Sequence, residues 1–227
     1  MIAVMDSGIG GTLIAEEVRK LLPGVEVYYY RDSEHFPYGD RSPEEVVRII
    51  DENGGLLVAK GAKLIVLACN SASVVSLAHL RRKYQVPFVG VVPAVKPAAA
   101  MTKTKQIAVF GTALTSSSAA LDDLIERFCQ GVTVHKVVFE HLAEAIEWGR
   151  LDEARSLVAE KWRQYRHLGI DVVVLGCTHY TLVKREIEQT VGPGVTVIDS
   201  NDAVARQVKR VWNKLMEESK HDPDLSS

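Results

Sequence analysis

Cysteine is scarce in this chain, and so are the signals that mark a membrane protein, a metal centre or a polyanion binder. Its 227 residues include three cysteines, Cys69, Cys129 and Cys177, an odd number at unrelated spacings. That argues against a disulfide framework, and no Cys-x-x-Cys pair points to zinc or to dithiol redox work. No stretch stays apolar for the ~18 residues that a membrane span needs. The opening MIAVMDSG lacks the basic start, long apolar core and small-residue cleavage site of a secretory leader. Charge is nearly balanced, with 27 Lys+Arg against 29 Asp+Glu and a formal net of −2, and no basic run stands out. A nucleic-acid surface is therefore not indicated. The glycine-rich Asp6–Gly11 has neither the Gly-Lys-Ser/Thr ending of a phosphate loop nor the G-x-G-x-x-G pattern. Free thiols in a reducing cytoplasm fit this composition best.

What is present is a regular alternation. Short apolar runs predict strands at Ile2–Met5, Val25–Tyr30, Leu64–Ala68, Phe88–Val92, Ile107–Phe110, Thr133–Val138, Asp171–Leu175 and Thr196–Ile198. Helical spacing lies between them, as in Thr12–Leu22, Pro43–Lys60 and Asp152–His167. Ser42-Pro43-Glu44-Glu45 reads as a helix start, with Ser42 the cap, Pro43 in the first turn and Glu45 completing a capping box. Such alternation predicts an α/β fold with mainly parallel sheets.

The chain also repeats itself. Gly61-Ala-Lys-Leu-Ile-Val-Leu-Ala-Cys69 aligns with Gly169-Ile-Asp-Val-Val-Val-Leu-Gly-Cys177, 108 residues on, with four of nine positions identical. Ile2-Ala3-Val4 recurs as Ile107-Ala108-Val109, 105 residues on. Buried parallel strands all look alike in their Val/Ile/Leu content, but that does not place a cysteine at the same strand end twice. The reading is two similar α/β lobes related by a pseudo-two-fold, with the active site in the cleft between them. Residues 1–95 plus about 200–227 form the first lobe, with a C-terminal helix returning to it, and 96–199 form the second. Ala94–Thr104 is expected to be a crossing segment.

In open parallel sheets, ligands bind beyond the carboxyl ends of the strands. Five polar clusters fall there: Asp6-Ser7-Gly8, Pro37-Tyr38-Gly39, Cys69-Asn70-Ser71, Gly111-Thr112 to Thr115, and Cys177-Thr178-His179. Cys69 and Cys177 each leave a strand and enter a helix, whose N-terminal N–H groups favour thiolate over thiol. Two opposed thiols suit the inversion of a stereocentre that bears hydrogen: one takes the proton from one face, the other returns one to the opposite face. Cys129, in the amphipathic stretch Leu121–Cys129, reads as core.

On these residues the chain resembles the aspartate/glutamate racemase superfamily, and within it the glutamate racemases. The carrying motifs are Asp6-Ser7-Gly8-Ile9-Gly10-Gly11, Pro37-Tyr38-Gly39-Asp40-Arg41-Ser42, Ala68-Cys69-Asn70-Ser71-Ala72, Gly111-Thr112 with Thr115, and Gly176-Cys177-Thr178-His179-Tyr180. The resemblance implies interconversion of L- and D-glutamate without a cofactor or metal, to supply D-glutamate for peptidoglycan, by a cytoplasmic homodimer. It implies that Cys69 takes the α-proton of the D enantiomer with Asp6 assisting, and that Cys177 takes that of the L enantiomer, assisted by His179 and an upstream glutamate. Glu144 is the candidate for that glutamate, with Glu140 and Glu147 as alternatives. Asp6, Ser7, Tyr38, Gly39, Asn70, Ser71, Thr112, Thr115, Thr178 and His179 would hold the substrate's ammonium and carboxylates. Tyr38 has the plainer alternative of fixing its own turn.

Several positions depart from the family's usual pattern. Ser71 stands where threonine is common, Thr181 where proline is common, Gly90–Val95 lacks the usual Glu-Pro-Gly, and no counterpart of a common C-terminal stretch follows the final expected helix. An aspartate or broader-specificity racemase, and a non-catalytic amino-acid-binding protein, are the alternatives that these departures leave open. A redox pair is a further alternative, but it would need the two sulfurs near bonding distance.

Overall fold

The computed structural model describes residues 1–221. Eight strands alternate with helices: β1 (Ile2–Asp6), α1 (Thr12–Leu21), β2 (Val27–Arg31), α2 (Pro43–Ala59), β3 (Leu64–Leu67), α3 (Asn70–Lys83), β4 (Phe88–Gly90) and α4 (Val95–Met101). Then follow β5 (Gln106–Gly111), α5 (Ala113–Ser116), α6 (Ala119–Phe128), β6 (Thr133–Val138), α7 (Leu142–Glu147), α8 (Leu151–Arg163), β7 (Val172–Leu175), α9 (Thr178–Leu182), α10 (Lys184–Val191), β8 (Thr196–Ile198) and α11 (Asn201–His221).

The strands make two four-stranded sheets, ordered β2-β1-β3-β4 and β6-β5-β7-β8, and every pairing is parallel. The orders match strand for strand, so the two lobes are copies of one topology. Helical crossovers cover both faces of each sheet, which is why the central strands are apolar throughout rather than alternating. Along β1, Ile2 and Val4 face α1 and α11, while Ala3 and Met5 face α2 and α3. Along β5, Ala108 and Phe110 face the α7–α10 side, and Ile107 and Val109 face α4 and α6. The glycine that opens each copy of the repeat has a backbone reason: Gly61 and Gly169 sit at φ +86° and +72°, in the left-handed region that side chains avoid.

All eight predicted strands form, with shifted ends. β2 starts two residues late and runs on to Arg31, and β4 stops at Gly90, where Val91 N–H turns to Ser73 Oγ and Leu67 O. The expected helix over 152–167 ends at Arg163 and tightens into a 3₁₀ turn at Arg166–Leu168. Ser42 Oγ accepts from Glu45 N–H at 3.2 Å, so half of the capping box is present. The reciprocal half is not, because the Glu45 carboxylate pairs with Arg41 instead.

The crossing segment is more ordered than expected. It contains α4, whose Val95 and Ala98 are buried against β5 and β7, with Pro97 tolerated in the first turn. Past α4, Asp171 gathers the chain: it accepts from Thr102 Oγ1 at 2.5 Å, Lys103 N at 2.6 Å and Thr104 N at 3.1 Å. A second tie joins the return crossing, where Ser200 Oγ donates to Val92 O at 2.6 Å. α11 then lays Val204, Ala205, Val208 and Trp212 against Ile14, Ala15 and Val18 of α1. Residues 222–227, part of the stretch expected to return to the first lobe, lie outside the described residues.

Partial burial raises the Asp171 carboxyl, but its three donors outweigh that and hold it below its ordinary 3.8. The stabilisation is therefore present at neutral pH and is lost as pH falls through the depressed folded-state value. Asp171→Ala is expected to cost about 1–2 kcal/mol at pH 7, the exposure of the site keeping it at the low end for charged hydrogen bonds. Thermal unfolding at pH 7 and in acid checks this: the gap from wild type should be widest at pH 7 and close in acid.

Candidate active site

Both thiols occupy the same place in their lobes. Cys69 caps the N-terminus of α3 and Cys177 that of α9, each in extended backbone (φ −133° and −144°) as the chain leaves the strand. Both are buried. All three cysteines are unpaired, and Cys129 lies in the apolar cluster under β5 and β7, as expected.

Around Cys69 the first lobe supplies Asp6, from the end of β1. Asp6 is buried and accepts from Ser7 N at 2.7 Å and from Thr178 Oγ1, in the other lobe, at 3.0 Å. Burial pushes its carboxyl up, while the His179 charge and its hydrogen bonds from Thr178, Ser7 and Cys69 pull back without cancelling. The Cys69 thiol is driven well above its ordinary value by burial and by the Asp6 charge; the Ala72 N–H of the helix terminus opposes this and loses, and a Cys177 thiolate adds further repulsion. The expectation that the helix N-terminus would favour thiolate over thiol at Cys69 is therefore corrected. Desolvation and a neighbouring carboxylate outweigh the dipole.

Around Cys177 the second lobe supplies a different apparatus. His179 is buried two residues after Cys177 and holds Glu147 Oε2 at 2.6 Å through Nε2. Burial alone would lower its pKa, but the bonds to Cys177 and Glu147 and the Asp6 charge pull it up to about 10. It is an imidazolium at neutral pH. Phe36 packs against the ring at 5.3 Å between centroids, tilted by 43°. Burial pushes the Glu147 carboxyl up, yet His179, the Ile9 N–H at 2.9 Å and Arg31 bring it below its ordinary value. Glu147, not Glu144, is thus the carboxylate on His179. Glu144 is half-buried, 3.4 Å from the exposed His141, and Glu140 is exposed.

The remaining candidates fall into two groups. Ser71 meets Thr112 and Thr115 across the lobes in a buried hydroxyl cluster, at 2.9 and 3.3 Å. Asn70 is buried with Nδ2 unpartnered, and Ser7 is buried beside Asp6. These groups are available to a ligand. Tyr38 and Thr178 are instead committed: Tyr38 donates to Asp32 Oδ2 at 2.6 Å, and Thr178 donates to Asp6. Burial and the Asp32 carboxylate keep the Tyr38 phenol protonated, so the ring anchors its turn, the plainer of the two expectations. Gly39 packs so closely on Thr112 that an added Cβ would lie 2.6 Å from Thr112 Cγ2.

Sequence reasoning missed Asp32 and Arg31. Asp32, buried, also accepts from Asn53 Nδ2 at 2.9 Å and sits 2.9 Å from His35 Nδ1. Arg31 Nη2 reaches Glu147 Oε1 at 2.5 Å from the opposite lobe. The nearness of Asp32 to Pro37-Tyr38-Gly39 was a usable signal; nothing in the sequence marks Arg31. The loop after β1 passes so near the His179–Glu147 pair that a Cβ at Gly8 would meet Glu147 Oε2 at 2.4 Å. Among the described residues, no group of three or more His, Cys, Asp or Glu is arranged to hold a metal, and no helix is long and apolar enough to cross a membrane.

The arrangement brings a thiol–carboxylate pair and a thiol–imidazolium pair to one seam, beside buried donors suited to an anionic ligand. The family model for Asp/Glu/hydantoin racemase matches residues 12–208. The glutamate racemase of Roseiflexus sp. (strain RS-1) is 41% identical over 213 residues, covering 92% of this chain and 78% of that one. Among solved structures, Bacillus anthracis glutamate racemase isoform RacE1 superposes with a TM-score of 0.83 at 30% identity, over 94% of this chain and 82% of that one. Escherichia coli glutamate racemase, in complex with L-glutamate and the activator UDP-MurNAc-Ala, gives 0.83 at 33% identity, over 92% and 80%.

Glu147→Gln should let the His179 titration fall from about 10 toward the ordinary value of ~6.5, while Glu144→Gln should leave it in place. An NMR titration of the imidazole resonances checks both. A drop in the Glu144 variant instead would return the role to Glu144.

Proposed function

The chain belongs to the Asp/Glu/hydantoin racemase family and is an amino-acid racemase; from that premise we propose that it interconverts L- and D-glutamate through two thiols acting from opposite faces of Cα. The observation that carries this reading is the pair of matched strand-end cysteines, each at a helix N-terminus, in a chain about two-fifths identical to named glutamate racemases over 92% of its length. In the L-to-D direction a Cys177 thiolate takes the α-proton and the Cys69 thiol gives its own to the other face. The elevated Cys69 fits that resting role, since it holds its proton until a carbanion forms beside it. Afterwards Cys177 is the thiol and Cys69 the thiolate, the form that D-glutamate requires, so the reverse reaction runs with roles exchanged.

The two arms manage this charge differently. The His179 imidazolium stabilises a thiolate at Cys177 and negative charge developing on the substrate. When D-glutamate is to be bound from the resting form, Asp6, with its raised proton affinity, accepts the Cys69 proton while the His179 imidazolium gives one to Cys177, so that the arms stand as thiolate and thiol. Asn70, Ser7, Ser71, Thr112 and Thr115 hold the substrate's polar ends; Asp6 assists with the ammonium. The same reading makes the protein a cytoplasmic supplier of D-glutamate for peptidoglycan, independent of cofactors, and a homodimer. Exposed Trp148 and Leu151 offer apolar surface for a second copy.

Purified protein without added cofactor should racemise glutamate with a higher kcat/KM than aspartate, followed by circular dichroism; a clear preference for aspartate would overturn the substrate assignment. Cys69→Ser and Cys177→Ser should each lower racemisation by about 10³-fold or more, and Cys129→Ser should leave it within about twofold. Near-normal turnover in either of the first two would overturn the two-thiol scheme.

A further inference from the structure

β2 is an edge strand, and its alternating side chains serve two sides. Tyr30 turns to Asn53 at 3.0 Å, within its own lobe. Tyr29 and Arg31 turn the other way, toward the seam. Tyr29 donates to Gly8 O at 2.5 Å, fixing the loop that lies on His179. Arg31, paired in register with Asp6, donates Nη2 to Glu147 Oε1 at 2.5 Å.

The Glu147 carboxylate therefore has its two oxygens divided. Oε2 serves Ile9 N–H and His179, and Oε1 serves Arg31. Both Arg31 and Ile9 belong to the first lobe, whereas Glu147 and His179 belong to the second. An ion pair open to water at both ends stabilises little. Here the Glu147 side chain is 1% exposed and Arg31 is 40% exposed, so one partner has no water to fall back on. Removing the guanidinium leaves a buried carboxylate oxygen short of its donor, and the carboxylate becomes free to rotate away from the imidazole.

We propose that Arg31 is a positioning residue for the Cys177 arm: from the opposite lobe it orients the Glu147 carboxylate toward His179, so that this arm is aligned when the two lobes are together. The inference rests on the reading of His179 as the partner of an acid/base thiol. The planar guanidinium suits the task, because it approaches one carboxylate oxygen in a fixed direction while its outer edge stays in solvent. Arg31 touches neither thiol; it acts through Glu147.

The test is Arg31→Met, with Arg31→Gln as a second variant and Arg31→Lys as the conservative one. Two readouts are taken on each: the far-downfield ring N–H proton expected of the short His179–Glu147 bond, by NMR of the ligand-free protein, and kcat and KM for glutamate. Arg31→Met and Arg31→Gln should lose or broaden that resonance and lower kcat by about tenfold, with KM within about twofold; Arg31→Lys should recover part of both. An unchanged resonance in either uncharged variant overturns the proposal, whether or not kcat falls. So does unchanged kcat with the resonance lost. The resonance is read without turnover, so absence of racemisation in the wild type would count against the proposed function alone.

Discussion

Two buried carboxylates, each hydrogen-bonded from the opposite lobe, are what the geometry of both thiols depends on. Asp6 stands on the first lobe and accepts from Thr178 on the second. Glu147 stands on the second and accepts from Ile9 N–H and Arg31 on the first. Burying either anion is expensive, and these cross-lobe donors offset that cost beside Ser7 N–H on Asp6 and His179 on Glu147. The lobes must therefore meet in one register for the carboxylates to be satisfied, and that register carries Cys69 and Cys177 to a common seam. Gly8 and Gly10 permit the approach, because a side chain at Gly8 would collide with Glu147 and His179 and one at Gly10 with His179.

The two halves copy backbone but not electrostatics. The cysteines share strand end, helix cap and extended conformation. Their neighbours differ in sign: an anion beside Cys69, an imidazolium beside Cys177. In the proposed two-thiol scheme, where the pair would exchange roles at every turnover, this difference sets the two arms apart. In that scheme burial and Asp6 keep the proton on Cys69 until it is needed, and the reaction itself leaves the opposite arrangement of protons.

Much of the fold was legible in the residues. The eight strands follow from short apolar runs, and the doubled Gly…Cys segment shows the two copies before any coordinate does. The helix cap at Ser42 and the core position of Cys129 follow from local pattern as well. What escaped was set by contacts between segments far apart in sequence. Glu144 was preferred to Glu147 on spacing alone, although helical geometry favours Glu147: on α7 it lies one turn from the buried Ala143 and is itself buried, while Glu144 is the one residue of the helix that is not. The thiolate expectation for Cys69 came from a local rule, the helix terminus, and failed because burial and Asp6 are tertiary facts. Arg31 has no local mark at all, since an arginine at a strand end is ordinarily solvated.

The account stands or falls on whether two groups, rather than one, handle the α-proton. The direct measurement is turnover of L-glutamate in deuterium oxide, stopped at low conversion, with both enantiomers separated and their Cα label determined by mass spectrometry. Opposed thiols predict deuterium in the D-glutamate formed and almost none in the L-glutamate recovered. Comparable label in both enantiomers from the earliest times would mean that a single group removes and returns the proton, contradicting the account.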